Sequence, residues 1–322
     1  MKICFLKTTV LSVFFISLVS SAYSQNIKEV NSISVENNQF TAVNISPDNK
    51  YVIAGFEDGD IITYKTMTGT KIYEVKRHNN DIHSISFNKK GNYFVSAGQD
   101  RAAVVWSIST GKQLKTFYGG DAVWTAEFTP NGKNLATGGT DQVISVWELV
   151  SGKRYRTFWG HKNRVYDLKI TPDGKYLISV SGDHTIKKWD ISKQLRINSV
   201  NAHANDVTSV AISSNQKFIV TGARDNTVKI WDYDTLDNLA LLRGHQWWIN
   251  KVDISPDSRY IASASDDNTV IIWDVATHEN IKTLEFESPV SDLAFSRDGK
   301  YLVTCDEHKV RIFSTGFPPI SD

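Results

Sequence analysis

Apolar and polar residues alternate in short runs along most of the chain, and the pattern is clearest from His161 to Asp190. Three runs rich in β-branched and apolar residues are separated there by a Thr-Pro-Asp-Gly turn and a Ser-Gly-Asp-His turn. Runs of this length bounded by turn residues predict three antiparallel strands in hairpin order. The same pattern returns 42 residues later as His203 to Asp232, and again as His245 to Asp274. A repeat of this period predicts a propeller or a solenoid.

Seven copies of the pattern can be counted from an acidic residue in the second turn, with gaps of 40 to 42 residues between copies. An aromatic residue follows each acid by six positions. Chance does not give this spacing seven times, so the regularity predicts seven structural units of one kind. The turn acids are Asp58, Asp100, Asp141, Asp183, Asp225, Asp267 and Glu307, and the aromatics are Tyr64, Trp106, Trp147, Trp189, Trp231, Trp273 and Phe313.

The first strand of every copy carries the same irregularity. Its apolar residues are spaced by three and then by two positions, as in Val165, Leu168 and Ile170. A strand of period two that slips by one residue needs a β-bulge to keep both of its ends facing the core. After the third strand, a short turn leads to a more polar segment such as Gln113 to Tyr118. Each copy is therefore predicted to be a four-stranded sheet with a bulge in its first strand.

The residues at these spacings resemble the WD-repeat family. The Gly160-His161 pair, Ser179, Asp183 and the Trp189-Asp190 pair match the repeat motif, as do Gly244-His245 and Trp273-Asp274. The resemblance extends over about residues 27 to 313 and implies an all-β, seven-bladed β-propeller with four-stranded antiparallel blades. Ile27 to Val35 has strand character but no copy of its own. We expect it to close the ring as the missing outer strand of the seventh blade, because closure removes exposed sheet edges.

Residues 1–24 differ from the rest of the chain. Lys2 and Lys7 precede an apolar run from Val10 to Val19, and Ala22-Tyr23-Ser24 has the small-x-small pattern of a cleavage site. These features predict a Sec-type signal peptide, which would leave one propeller domain over residues 25–322 in the periplasm or outside the cell, in a bacterial member of the family. The alternative is a membrane anchor, but the apolar run is shorter than the ~20 residues that a spanning helix needs.

The composition narrows the classes of partner. The net charge is +1, with 36 basic and 35 acidic residues, so the broad basic field of a nucleic-acid-binding protein is not expected. Paired cysteine and His-Glu-x-x-His motifs do not occur in the sequence, and we expect no metal and no cofactor. Cys305 is the one cysteine after the leader, so an intramolecular disulfide is excluded in the mature chain. The mature protein is expected to be monomeric by itself and without a stable membrane anchor.

A histidine, a hydroxyl residue, an aspartate and a tryptophan recur together in four copies. A Ser-His-Asp set is the composition of a hydrolase triad, but four equivalent sets tied to the repeat predict a hydrogen-bond network that holds strands and loops together. We therefore expect no catalytic residue among them. The four tetrads are His78, Ser96, Asp100, Trp106; His161, Ser179, Asp183, Trp189; His203, Thr221, Asp225, Trp231; and His245, Ser263, Asp267, Trp273.

Three positions in each copy are free of the repeat's own demands: the residue before the bulged strand, the residue at the bulge and the residue before the turn acid. The resemblance implies that they lie on one end of the ring, where WD-repeat proteins commonly bind partners. Aromatic and Arg side chains are enriched in interface hot spots, which favours a binding role, although the aromatics could instead plug the channel mouth. The predicted partner-binding residues are Trp124, Arg164, Tyr166, Arg224 and Trp248, with Asp81, His83 and Asp266 on the rim.

The sequence thus predicts a non-enzymatic scaffold that binds a protein or peptide on this end face. The alternative is a propeller enzyme or small-ligand binder at the channel mouth, for which His83 and Asp81 form the one plausible acid–base pair.

Overall fold

Seven four-stranded antiparallel sheets make up the protein in the computed structural model, which describes residues 26–36 and 38–317. The innermost strand of each sheet contacts the innermost strands of both neighbouring sheets, and this cycle closes on itself. The described residues contain no helix. The predicted all-β, seven-bladed propeller is therefore confirmed, whereas the predicted signal peptide of residues 1–24 lies outside the described residues.

The strands follow one another from the channel outwards within a blade, except that the first strand described belongs to the last blade. This strand is β1 (Lys28–Ser34). Blade 1 contains β2 (Phe40–Ile45), β3 (Tyr51–Phe56), β4 (Asp60–Lys65) and β5 (Lys71–Lys76), and blade 2 contains β6 (Ile82–Phe87), β7 (Tyr93–Gly98), β8 (Ala102–Ser107) and β9 (Gln113–Tyr118). Blade 3 contains β10 (Val123–Phe128), β11 (Asn134–Gly139), β12 (Ile144–Glu148) and β13 (Arg154–Phe158), and blade 4 contains β14 (Val165–Ile170), β15 (Tyr176–Ser181), β16 (Thr185–Asp190) and β17 (Leu195–Asn201). Blade 5 contains β18 (Val207–Ile212), β19 (Phe218–Ala223), β20 (Thr227–Asp232) and β21 (Asn238–Arg243), and blade 6 contains β22 (Ile249–Ile254), β23 (Tyr260–Ser265), β24 (Thr269–Asp274) and β25 (Asn280–Glu285). Blade 7 contains β26 (Val290–Phe295), β27 (Tyr301–Asp306) and β28 (Lys309–Ser314), with β1 as its outer strand.

The ring closes through β1, as predicted. β1 pairs antiparallel with β28, from Ser34 opposite Lys309 to Lys28 opposite Ser314. The Ile33 side chain is buried in the core between blades 7 and 1. Asn31 Nδ2 donates a hydrogen bond to Thr66 O of blade 1 at 3.0 Å, so the same strand also ties blade 7 to its neighbour.

The predicted bulge is present in all seven blades. In blade 4 the register of β14 against β15 shifts between Val165 and Asp167, which leaves Tyr166 as the extra residue. The equivalent shift occurs in each of the other six inner strand pairs. A second register shift, which the sequence pattern did not reveal, lies opposite the repeat aromatic in each outer strand, as at Lys188/Trp189. The extra residue in blade 4 is Ile197, which is 47% exposed, so this bulge leaves no trace in the spacing of core-facing apolar residues.

The core lies between blades rather than inside them. Ala136, Ile144 and Val146 of blade 3 pack against Val165 and Leu168 of blade 4, and similar clusters join the other neighbouring blades. The second strands carry small residues where the next blade approaches. A Cβ on Gly138 would lie only 2.7 Å from Val165, so glycine is required there by close packing.

Blade 7 differs from the predicted pattern in its second turn. The sequence spacing assigned the turn acid to Glu307, but Asp306 performs the capping. Asp306 Oδ1 accepts hydrogen bonds from the backbone N–H groups of His308 and Lys309, at 3.0 and 2.8 Å. The β27–β28 turn is shorter than the others, which moves the capping position back by one residue.

Candidate functional site

The four tetrads form buried hydrogen-bond chains inside the blades. In blade 4, His161 Nδ1 donates to Asp183 at 2.9 Å, the Ser179 hydroxyl donates to His161 Nε2 at 2.7 Å, and Trp189 Nε1 donates to Ser179 Oγ at 2.8 Å. The tetrads of His78, His203 and His245 have the same connections. The hydroxyl residues are fully buried, so none of them is open to attack a substrate.

In the tetrads of blades 4 and 5 the negative charge stays on the aspartate and the histidine is neutral. Burial lowers the pKa of His161 and of His203 below the usual value, so both rings are neutral at pH 7. Burial alone would raise the pKa of Asp183, but hydrogen bonds from His161 and Thr185 hold it well below its usual range. The arrangement fixes the loop that carries the histidine onto the second turn of the same blade.

Blade 7 keeps the tetrad shape with apolar residues. Phe286 and Phe313 have ring centroids 6.2 Å apart with an interplanar angle of 67°, close to the 6.3 Å and 66° of His245 and Trp273 in blade 6. Blade 3 has Gly119 at the histidine position, yet its Trp147 Nε1 still donates to a hydroxyl, Thr137 Oγ1, at 2.9 Å. The packing of the histidine onto the tryptophan can thus be replaced, which is the behaviour of a structural element.

The seven bulge residues meet at one end of the channel. They line a single cavity of about 300 Å³, which we call the mouth cavity. Because the bulge turns one side chain per blade toward the axis, the mouth is where the chain can vary without disturbing strand pairing. The bulge residues of the mouth cavity are Thr41, His83, Trp124, Tyr166, Thr208, Asn250 and Ser291.

Aromatic and guanidinium groups stack in sequence around this mouth from blade 2 to blade 6. The His83 ring lies on Trp124 with centroids 3.8 Å apart and an interplanar angle of 8°, and Trp124 meets Tyr166 edge to face at 5.1 Å. Arg164 lies over Trp124 at 4.3 Å and beside Tyr166 at 5.3 Å. We call the continuous set the rim arc; its members are His83, Trp124, Arg164, Tyr166, Arg224 and Trp248.

Arg224 joins the last two aromatics of the rim arc. Its guanidinium carbon lies 5.4 Å from the Tyr166 ring centroid and 4.7 Å from the Trp248 ring centroid. Trp248 remains 42% exposed, so much of this ring is open to a partner. All five predicted hot-spot residues are therefore brought together by the fold.

Asp206, which was not among the predicted residues, is the acceptor at the centre of the rim arc. The Tyr166 hydroxyl donates to Asp206 Oδ2 at 2.9 Å, and Arg224 Nη1 donates to the same oxygen at 3.4 Å. Asp206 occupies the position before a bulged strand, one of the three variable positions per copy. Its role could not be read from the sequence because it depends on side chains from two different blades.

The remaining predicted rim residues lie at the two ends of the arc. Asp266 accepts a hydrogen bond from Asn250 Nδ2 at 2.6 Å and lines the mouth cavity. Asp81 is half-buried and exerts a favourable electrostatic effect on protonated His83. Burial nevertheless lowers the pKa of His83, whose Nε2 lies 2.9 Å from Gln99 Oε1. His83 is therefore neutral, and its stacking on Trp124 makes it part of the wall of the mouth cavity.

The channel below the mouth is lined by charged residues that the sequence analysis missed. Asp167 and Asp292 line both the mouth cavity and a narrower space of about 60 Å³ beneath it. Lys251 Nζ lies 3.3 Å from Asp167 Oδ2, and Lys169 Nζ lies 3.1 Å from Glu127 Oε2 farther down. The signal was present as charged residues at the inward-facing positions of β10, β14, β22 and β26, where an apolar core would have had Val or Ile.

The carboxyl groups in the channel differ in their electrostatic environment. Burial raises the pKa of Asp167, but the neighbouring Lys251 and Lys169 ammonium groups more than offset this, and the pKa lies below its usual value. Burial raises the pKa of Asp292 to about 6. Asp292 accepts hydrogen bonds from the backbone N–H groups of Val43 and Leu293, both at 2.9 Å, and no cation lies within ion-pair distance of it in the described part of the chain.

Between residues 26 and 317, apart from residue 37, no group of three His, Cys, Asp or Glu side chains is placed to hold a metal ion. The described residues also contain no helix that is long and apolar enough to cross a membrane.

Curated proteins similar to this chain include eukaryotic translation initiation factor 3 subunit I from three organisms. The chain is 33% identical over 100 residues to the protein of Coccidioides immitis (strain RS), an alignment that covers 30% of this chain and 29% of the relative. For the Candida glabrata protein, the identity is 34% over 86 residues, and the alignment covers 26% of this chain and 25% of the relative. For the Nematostella vectensis protein, the identity is 28% over 98 residues, and the alignment covers 30% of each chain. The matches thus span about three tenths or less of these relatives. These relatives are eukaryotic proteins, so the comparison gives no support to the predicted bacterial source.

A family model gives the broader match. The repeat described as "WD domain, G-beta repeat" matches residues 69–107, 111–148, 152–190, 194–232, 237–274 and 278–314. Each matched repeat begins near the outer strand of one blade and continues through three strands of the next, as β13 to β16 do in 152–190. These six repeats cover well over half of the sequence, and the chain belongs to the WD40 repeat family of β-propellers.

Proposed function

We propose that this protein is a non-enzymatic scaffold that binds a segment of a partner protein across the rim arc. The observation that carries the proposal is the continuous stack of three aromatic rings and two guanidinium groups around one end of the ring. Such groups bury large areas and hold fixed orientations, so they lose little conformational freedom when a partner binds. WD40 membership supports a protein as the partner.

The enzymatic alternative has weaker geometric support. It needs His83 and Asp81 to exchange a proton, but the His83 ring is stacked on Trp124 and its Nε2 is directed to Gln99. No hydrogen bond joins His83 to Asp81 in the described residues. The hydroxyl residues of the four tetrads are buried, so the other sets with catalytic composition are closed to substrate.

The similarity to translation initiation factor 3 subunit I supports a role as one subunit of a larger assembly. It extends over only about three tenths of the chain and does not identify the partner. The leader-like residues 1–24 favour a different compartment from that of a translation factor. We therefore propose a scaffold that acts in the periplasm or outside the cell.

Replacing Trp124, Tyr166 and Trp248 together with alanine is expected to abolish partner capture without unfolding the blades, because the three rings form the contact surface and lie outside the inter-blade clusters. Wild-type and variant proteins would be used to capture partners from an exported protein fraction. A Tyr93→Ala/Tyr155→Ala double variant removes exposed aromatics from strands β7 and β13 and serves as the matched control. Capture by the triple variant at wild-type strength would contradict the proposal.

The export proposal predicts that the full-length chain is found outside the cytoplasm with residues 1–24 removed, whereas a chain that starts at Gln25 stays inside. Fractionation followed by N-terminal sequencing measures both results. The triple variant in the rim arc is the control, since it should be exported and cleaved normally. A cytoplasmic full-length protein that retains Met1 to Ser24 would instead favour the role suggested by the initiation-factor relatives.

A further inference from the structure

We propose that Arg164 and Arg224 bind a side-chain carboxylate, from Asp or Glu, of the partner segment, and that the residue beside this acid covers Trp248. The inference rests on the proposed function and specifies the chemistry of the partner. It is carried by two guanidinium groups that are held in place by aromatic rings but have few hydrogen-bond acceptors.

Arg164 is the clearest case. Its guanidinium stacks on Trp124 at 4.3 Å and is close to Tyr166, yet it makes no hydrogen bond or ion pair with any described residue. A guanidinium that stacks on a ring face keeps its N–H donors free at the edge of its plane. The stacking therefore orients a set of donors at the mouth without using them.

The guanidinium of Arg224 has only one hydrogen-bond acceptor in the described residues. Its Nη1 donates to Asp206 Oδ2 over 3.4 Å, at the long end of the hydrogen-bond range, and its Nε has no acceptor among the residues that the structure describes. That Asp206 oxygen is already engaged by the Tyr166 hydroxyl at 2.9 Å. An incoming acceptor would thus compete with one long contact to Asp206, while the guanidinium keeps its place against the Tyr166 and Trp248 rings. Unsatisfied donors of this kind in a folded protein call for a partner.

The geometry of the two guanidinium groups favours a carboxylate as that acceptor, and the charge of the mouth favours a monoanion over a dianion. Two coplanar oxygens match the planar fork of a guanidinium and accept two hydrogen bonds from it. The carboxyl groups of Asp81, Asp206 and Asp266 lie around the same mouth. They would repel a dianionic phosphate more strongly than a single negative charge, so the monoanion is the better fit.

Trp248 extends the site beyond the two arginines. Arg224 covers this ring at 4.7 Å, and 42% of the residue remains exposed, as does 62% of the neighbouring Trp247. An apolar or aromatic residue next to the bound acid would bury this surface. The segment that fits the rim arc therefore combines an acid with an adjacent apolar residue.

The first test selects random dodecapeptides displayed on phage against the full mature chain, with the Trp124→Ala/Tyr166→Ala/Trp248→Ala variant as the subtraction. Peptides specific to the wild type are expected to be enriched in Asp or Glu beside an apolar residue. If specific peptides are recovered but carry no acid, the carboxylate inference is overturned while the proposed function stands. If no peptide prefers the wild type, the proposed function fails as well.

The second test measures one selected peptide by fluorescence anisotropy, together with versions in which the acid is replaced by its amide or by phosphoserine, and with a free or an amidated C terminus. Converting the acid to its amide should weaken binding about tenfold or more, as expected for charge-assisted hydrogen bonds. Equal binding of the acid and the amide, tighter binding of the phosphoserine version, or dependence on the free C terminus alone would each contradict the proposal.

Substitutions in the protein complete the test. Arg164→Gln and Arg224→Gln should each weaken binding of the acidic peptide. The double variant should bind the acid and the amide peptides equally. Arg259→Gln removes an arginine from a turn of blade 6, where the side chain is 64% exposed, and is the matched control for net charge. Thermal denaturation of each variant checks the fold. Retained discrimination in the double Arg variant would overturn the assignment.

Discussion

A chain that starts at Thr41 is expected to lose most of the thermal stability of the chain that starts at Gln25. The truncation removes β1, exposes the hydrogen-bonding edge of β28 and takes away the buried side chains of Ile27 and Ile33. Loss of one buried isoleucine costs about 2–5 kcal/mol, and whole domains are stable by only about 5–15 kcal/mol. Phe40, fully buried against Phe56, is lost as well. Differential scanning calorimetry of the two chains measures the effect.

The matched control for this truncation is a chain that ends at Phe317, which shortens the other terminus but keeps the stacking of Phe317 on Tyr260 at 4.1 Å. It should melt close to the parent temperature. A narrower variant, Ile33→Ala, should destabilise in the same direction by about 2–5 kcal/mol. If the chain from Thr41 melts at the same temperature as the parent, β1 does not hold the ring closed.

The fold could be predicted from the sequence because the repeat imposes the same demand in every blade. The spacing of Val165, Leu168 and Ile170 is compatible with one core-facing strand only if a bulge lies between the first two, and Tyr166 is that extra residue. Seven repetitions leave a closed ring as the arrangement without long exposed edges. The bulge in turn directs Trp124 and Tyr166 to the channel mouth, where both line the mouth cavity.

Features that belong to one blade or depend on several blades could not be predicted in this way. The short β27–β28 turn moves the capping acid to Asp306, and nothing in the average period reveals the length of a single turn. Asp206 acts through Tyr166 of blade 4 and Arg224 of its own blade, so its importance appears only when the two blades meet. The order of stacking in the rim arc likewise depends on rotamers that a sequence does not specify.

The ion pairs inside the channel could not be predicted from the sequence either. A charged residue at an inward-facing strand position contradicts the expectation of an apolar core, and sequence analysis gives no way to tell a destabilising exception from a paired ion. Lys251 and Asp167 are 84 positions apart and come from blades 6 and 4, yet their charged atoms lie 3.3 Å apart. The channel is thus held by polar contacts across blades, whereas the blade interfaces are held by apolar packing.

Asp167 is the residue on which most of these channel contacts converge. Asp167→Ala is expected to destabilise the protein by about 3–5 kcal/mol, since removing this buried carboxylate leaves the partly buried Lys251 ammonium without its counter-ion. The Asp167 carboxylate also accepts hydrogen bonds from the Thr125 and Ser209 hydroxyls, at 3.2 and 3.1 Å, so blades 3 to 6 all lose a contact. Calorimetry measures the loss.

The control variant is Asp292→Asn, which changes a channel carboxyl that has no paired cation among the described residues, and it should cost much less stability. An Asp167→Asn/Lys251→Met double variant should recover a large part of the stability, because neither charge is then left alone. If Asp167→Ala melts within a degree or two of the wild type, or if the double variant is no more stable than Asp167→Ala, the channel ion pair does not tie the blades together.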